Sequence, residues 1–317
     1  MGFITADYPT ELIRRYDDDG LIPYFSAADF VGLNAEPISF RTERGITLRG
    51  FVYAYPEKEP ADLVVLSHGI GGGHLAYMRE IELLCRNGHR VLAFDAAGCF
   101  ASEGESIYSL AEGIAGVRAC LEFVQTQDKF RNVPVSLFGH SWGAYAVANV
   151  LRFFNNISAA VISGGFLSVQ SAVELSIPAG DEATRHMVLS YEKAASPEYW
   201  NLSAGDALAQ TNARVLVIHS KDDLVIPAEH AIVSLKDKID RPNLHFRLEY
   251  NKAHNPHYTE EAVEYLNSFF FEYQKGIASG KLDTFEKKKA YMEKADIVKM
   301  TQQDTDVWAE ILDILKV

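Results

Sequence analysis

Short apolar runs alternate with helix-spaced segments through most of this chain, and that alternation limits its architecture more than any other feature. Leu63 to Ser67, Arg90 to Phe94, Val133 to Phe138, Ala159 to Ser163, Arg214 to His219 and Leu244 to Tyr250 are rich in Val, Ile, Leu and Phe, the pattern of strands buried on both faces. Between them, Leu75 to Asn87, Ser109 to Gln127, Trp142 to Phe154, Ala228 to Lys236 and Thr259 to Gln274 carry helical spacing. Such alternation predicts a mostly parallel sheet with helices on both faces. Ahead of it, Pro37 to Thr42 and Ile46 to Tyr55 flank the turn-like Glu43-Arg44-Gly45, so an antiparallel hairpin should begin the sheet. The fold class is α/β.

The rhythm breaks over 167–212, where the connection is far longer than one crossover helix needs. This stretch is expected to be an insertion capping the C-terminal edge of the sheet. Phe166, Leu167, Val173, Met187, Tyr199 and Trp200 supply enough apolar surface to line a pocket there, or to pack the insertion on itself. Residues 1–36 read as an N-terminal extension and 37–275 as the body. Gly276 and Gly280 should close the last sheet helix, and 276–317 should form a helical C-terminal extension with amphipathic stretches at Thr284 to Val298 and Thr305 to Leu315. The Lys287-Lys288-Lys289 run is diluted by Asp283, Glu286, Glu293 and Asp296, as on a solvated helix face.

Charge and cysteine usage exclude several functions. With 30 Lys and Arg against 43 Asp and Glu, the net charge is -13, and phosphate backbones would be repelled, so nucleic acid is not an expected partner. Cys85, Cys99 and Cys120 show no CxxC spacing, which suggests neither a zinc site nor a redox pair but reduced thiols in a cytoplasmic protein. The first residues carry acids early and lack a secretory pattern; Ala6 stands where myristoylation needs Ser or Thr. No stretch is apolar enough to predict a membrane span. The oligomeric state stays open.

The strand ending at Phe138 runs into Gly139-His140-Ser141-Trp142-Gly143, and a helix follows. G-x-S-x-G in a strand, turn, helix context is a nucleophile elbow: a very sharp turn exposes the Ser hydroxyl, and side chains two positions to either side would collide. A serine hydroxyl near neutral pH needs a histidine base and a carboxylate to orient it, following in the order Ser, acid, His. Asp222 and Asp223 follow the strand at Arg214 to His219, and His254 and His257 follow the next strand. These are the loops at strand C-termini, where open sheets place their sites.

Over about residues 38–275 the chain resembles the α/β-hydrolase fold superfamily, in its serine hydrolase, esterase-like branch. The resemblance implies that Asp223 is the acid, because His219-Ser220-Lys221-Asp222-Asp223-Leu224-Val225-Ile226-Pro227 matches the family's H-G-x-x-D-x-x-V-P stretch, with Ser220 in place of Gly. It implies His254 as the base, from the Ala253-His254 step, and leaves His257 to mark a helix start. It places the oxyanion donors at the backbone N–H of Trp142 and of Ile70, the latter in the loop Ser67-His68-Gly69-Ile70-Gly71-Gly72-Gly73-His74. Asp95 to Gly104 resembles the family's D-x-x-G-x-G-x-S loop, with Phe100 where a glycine is usual; Asp95 and Ser102 are then scaffolding, and Cys99, which lacks an obvious base, reads as a structural or lining thiol.

The implied activity is cleavage of a carboxylic ester with a small or medium acyl or aryl group, through an acyl-enzyme and without cofactor or metal. A peptidase or thioesterase would use the same triad. Two readings of another class are a noncatalytic ligand-binding protein and a dinucleotide-binding oxidoreductase. The latter follows from Gly71-Gly72-Gly73-His74-Leu75-Ala76 after a strand, with Asp95 ending the next. It leaves Ser141, Asp223 and His254 unexplained. A metal site assembled from His219, His254 and His257 lacks ligand spacing on any one element.

Overall fold

The computed structural model describes residues 12–316; the readings made on Ala6 and on the first ten residues lie outside them. A hairpin of β1 (Asn34–Arg41) and β2 (Thr47–Ala54) opens an eight-stranded sheet. β3 (Leu63–Ser67), β4 (Arg90–Asp95), β5 (Val135–His140), β6 (Ile157–Ser163), β7 (Arg214–Ser220) and β8 (Leu244–Glu249) complete it in the order β1-β2-β4-β3-β5-β6-β7-β8. The β1–β2 and β2–β4 pairs are antiparallel and all others parallel. The strand order reverses around β3, so the C-terminal ends of β3 and β5 flank a crevice, the usual place for a site in an open α/β sheet.

Alternate residues of the central strands serve two cores. Leu63 and Val65 face one with α2 (Glu112–Thr126) and α3 (Trp142–Val150); Val64 and Leu66 face the other with α1 (Met78–Arg86). The 167–212 segment forms α4 (Val169–Ser176), α5 (Glu182–Ala195) and α6 (Ala204–Gln210), each started by a Ser or Asp cap that accepts from the first-turn N–H groups. Val173, Val188, Tyr199 and Leu208 sink into the α2/α3 core. The buried Glu192 carboxylate accepts from Leu110 and Ala111 N–H at 2.8 and 3.2 Å, fastening α5 to the segment before α2.

Two helices differ from the sequence expectation. Ala228 to Lys236 yields a single tight turn at Ile232–Leu235. Ala231 is extended there because it pairs with Phe166, with Leu167 and Ile232 N–H donating to His230 and Gly165 carbonyls. The helix after β8, α7 (Glu260–Ala278), runs through Gly276 and buries only Ala262, Val263 and Tyr273. After α8 (Phe285–Met292) and α9 (Ile297–Met300), the last helix, α10 (Thr305–Leu315), covers the sheet instead. Its Val307, Trp308, Ile311 and Leu315 pack with β5, β6 and β7 residues, and Trp308 stacks on Phe138 at 5.9 Å. At the other end, Arg15 donates to the Phe100, Ser102 and Gly104 carbonyls, tying the chain before β1 to the loop after β4.

Candidate active site

Ser141 sits between β5 and α3 at φ +58°, ψ -120°, a conformation costly for any residue with a Cβ. Hydrogen bonds hold it there: its N–H donates to Ser163 O at 2.8 Å, and Tyr145 N–H donates to its carbonyl at 3.1 Å. Both glycines of the turn are sterically required. A Cβ on Gly139 would lie 2.4 Å from Gly143 O, and one on Gly143 would lie 2.1 Å from Ser67 O.

Ser141 Oγ is 2.8 Å from His254 Nε2, and His254 Nδ1 is 2.8 Å from Asp223 Oδ2. Because a carboxylate only accepts, Nδ1 carries the ring proton and Nε2 is left to accept from the Ser141 hydroxyl. The other Asp223 oxygen accepts from Val225 and Ile226 N–H at 2.8 and 2.9 Å, and the side chain is buried. The structure thus brings Ser141, Asp223 and His254 together.

The neighbouring candidates stand elsewhere. Asp222 accepts from the Ser220 hydroxyl at 2.6 Å and from Ala253 N–H at 3.1 Å, shaping the loop in which Asn251 and Ala253 adopt φ of +59° and +44°. Burial opposes its ionisation, but the Ser220 hydroxyl and the Ala253 and Lys252 N–H groups hold its carboxyl below the usual range. His257 is fully buried, with Nδ1 2.9 Å from Ser163 Oγ and Nε2 3.2 Å from Glu80. His219 donates from Nε2 to Ile226 O at 2.9 Å; burial lowers its pKa although Asp223 opposes this. Among the described residues no group of three His, Cys, Asp or Glu side chains is arranged for a metal ion.

The Gly-rich loop packs against the scaffold. Asp95 is buried and accepts from His74 N–H and Nδ1 at 2.8 and 2.7 Å and from Ala101 N–H at 3.1 Å, so both oxygens are engaged internally. Ser102 donates to Asp95 O and accepts from Arg49 N–H. Burial, then the charge of Asp95, pushes the Cys99 thiol up to about 12.

Two side chains beside Ser141 carry no advance signal in the sequence. Tyr77 Oη accepts from Gly69 N–H at 2.9 Å and lies 2.8 Å from His140 Nδ1, while His140 Nε2 donates to the His254 carbonyl at 2.8 Å. That fixes Nδ1 as the acceptor of the Tyr77 proton. The pair joins the loop after β3, the elbow and the His254 loop. Burial, reinforced by His254 and His257, holds the His140 pKa well below the ordinary value, so it is a neutral bridge.

Ser141 borders a cavity of about 210 Å³ whose walls include Ile70, Leu110, Trp142, Phe166 and Ile226. Among the described residues neither the Ile70 nor the Trp142 backbone N–H donates a hydrogen bond, whereas the Trp142 indole N–H donates to the Leu110 carbonyl at 2.6 Å. Of the apolar candidates in and beside the insertion, only Phe166 reaches this wall; Val173 and Tyr199 are core.

Sheet order and the strand-turn-helix at Ser141 are those of the α/β-hydrolase fold. Residues 58–196, under half of the chain, match the family described as serine aminopeptidase, S33. No curated protein sequence matches the chain. Among solved structures it is similar to the esterase Pf2001 of Pyrococcus furiosus, with a TM-score of 0.58 and 17% identity over 81% of this chain and 94% of that one. Est1E of Butyrivibrio proteoclasticus, solved with ferulic acid bound, gives 0.55 and 17% over 74% and 98%. The α/β hydrolase GrgF of Penicillium sp. sh18 gives 0.51 and 16% over 82% and 99%. At such identities the likeness is one of fold.

Proposed function

We propose that the protein is a serine hydrolase that cleaves carboxylic esters with a small or medium acyl or aryl group. The observation carrying this reading is the unbroken chain Ser141 Oγ, His254 Nε2, His254 Nδ1, Asp223 Oδ2, with both contacts at 2.8 Å, beside an apolar cavity. Ser141 Oγ attacks the carbonyl carbon while His254 takes its proton, and Asp223 holds the imidazolium that forms. Ile70 and Trp142 N–H groups bind the tetrahedral oxyanion, each contributing about 3 kcal/mol of transition-state stabilisation. His254 then protonates the departing alcohol, and water, deprotonated by His254, releases the acid.

Esterase names among the fold relatives and the small volume of the cavity, about 210 Å³, favour a small or medium ester over a large substrate. The aminopeptidase description raises a second reading, but its substrate presents an ammonium group. Among the described residues the cavity wall contains no carboxylate to pair with it, and Asp223 is committed to His254 and two backbone N–H groups.

The test is fluorophosphonate labelling with peptide mapping, run beside p-nitrophenyl esters of increasing acyl length on the wild type and Ser141→Ala. The expected result is modification at Ser141 and turnover that vanishes in a folded Ser141→Ala protein. Retained turnover in that variant would sink the assignment.

A further inference from the structure

A second cavity, about 230 Å³, adjoins the first. The two share Tyr77 and His140 as wall residues, and the chain following His254 continues along the second through Asn255 and Tyr258. Three segments distant in sequence close it: Tyr24 and Phe25 before β1, Leu266 and Phe270 on α7, and Ile297 and Met300 on α9. Arg79 is its one charged lining residue among those described, with the guanidinium over the Phe25 ring at 5.8 Å. The segment before β1, α7 and α9 therefore converge on an apolar, aromatic-walled space beside Tyr77 and His140, the composition of a small-molecule site.

We propose that this second cavity is the subsite for the leaving-group arm of the substrate and takes an apolar alkyl or aryl alcohol; the inference rests on the serine hydrolase reading. In acylation the bond from Ser141 Oγ to the carbonyl carbon forms and the bond from that carbon to the alcohol oxygen breaks. The proton taken from Ser141 passes from His254 Nε2 to that oxygen, which therefore lies on the His254 side of the reacting carbon. The first cavity is walled by Leu110, Phe166 and Ile226, on the side of the cap and the loop after β7, and holds the acyl chain. The second is walled by residues that directly follow His254, so an alcohol protonated there has its apolar remainder within reach of this space. Tyr77 and His140, hydrogen-bonded to each other and to the Gly69 and His254 backbone, line both cavities and hold the edge along which they adjoin.

The experiment uses two ester series on the full chain. One keeps a single acyl group and varies the alcohol from methanol to hexanol and benzyl alcohol; the other keeps methanol and lengthens the acyl group. Leu266→Trp fills the cavity and Phe270→Ala enlarges it. In Leu266→Trp the ratio of kcat/KM for hexyl or benzyl over methyl esters should fall at least about tenfold, while ratios along the acyl series move less than about threefold. Phe270→Ala should move the optimum toward bulkier alcohols. Fluorophosphonate labelling of Ser141, run on every protein, separates the two levels of argument. Labelled variants with unchanged alcohol ratios, or with changes that follow acyl length, overturn the subsite and leave the hydrolase reading intact. A wild type that neither labels nor turns over any ester overturns both.

Discussion

Asp223→Asn tests the site most sharply, because the hydrogen bonds around Asp223 dictate what the amide must do. Two backbone donors, Val225 and Ile226 N–H, converge on Oδ1 at 2.8 and 2.9 Å. Asparagine has one acceptor oxygen, and leaving two buried donors unpaired is the costlier choice, so that oxygen takes their place and the amide NH2 faces His254. An NH2 group cannot accept from Nδ1–H, and the imidazole switches tautomer, placing its proton on Nε2 toward Ser141. His254 then donates to Ser141 Oγ instead of accepting from it. Where an Asn replaces the orienting Asp of such a triad, kcat falls by about 10⁴-fold, which is roughly 5 kcal/mol of transition-state stabilisation. Asp222→Asn is the control. Asp222 braces the Lys252-Ala253 backbone and touches no ring nitrogen, so its amide should cost less than about tenfold. Initial rates of p-nitrophenyl acetate hydrolysis, with melting curves to verify folding, make the comparison. Asp223→Asn within tenfold of wild type, or a larger loss in Asp222→Asn, would show that the carboxylate has been misassigned.

Three other substitutions or conditions probe the scaffold that presents the site. Gly143→Ala forces a Cβ to 2.1 Å from the Ser67 carbonyl, overlap that neither β3 nor the elbow can relieve without moving. A loss of more than about 3 kcal/mol is expected, and a soluble variant melting like wild type would contradict the tight-turn account. Trp308→Ala removes a buried ring stacked on Phe138 and a 2.7 Å bond to Gln303. It should cost about 3–5 kcal/mol, lowering Tm by roughly 10 °C, and a shift under about 2 °C would mean that α10 contributes little to the core. Acidification should destabilise the protein early. His68, His140 and His219 are held below the ordinary histidine pKa chiefly by burial. The unfolded chain therefore binds more protons below about pH 6.5, and stability present above that pH falls by up to about 1.4 kcal/mol per pH unit for each ring. Melting temperatures that stay level from pH 7.5 to about 5.5 would show that these rings are not held neutral.

What could be read in advance depended on how local the cause was. The strand runs, the hairpin and the elbow announce themselves within a few residues: Leu63–Ser67 is apolar because both of its faces are buried, and the two glycines bracketing Ser141 are required because an added Cβ would lie 2.4 and 2.1 Å from backbone oxygens. The ranking of Asp223 over Asp222 comes from the resemblance of His219 to Pro227 to the family's stretch, while the seat for its carboxylate, the Val225 and Ile226 N–H groups, exists only in the folded loop. By contrast, the helix expected at Ala228 to Lys236 is lost to pairing with Phe166, more than sixty residues earlier, and no local pattern reports a partner so distant. The same holds for the sheet-covering helix. α7 and α10 are both amphipathic, yet only tertiary packing decides which one covers β5 to β7. Tyr77 and His140 are the clearest case. His140 occupies a variable position of the G-x-S-x-G pattern and Tyr77 sits on an ordinary amphipathic turn, so neither stands out until the fold sets them 2.8 Å apart. Long-range polar bridges of this kind tie the elbow at Ser141, the His254 loop and the loop after β3 into one unit, and they belong to the fold rather than to any one stretch of sequence.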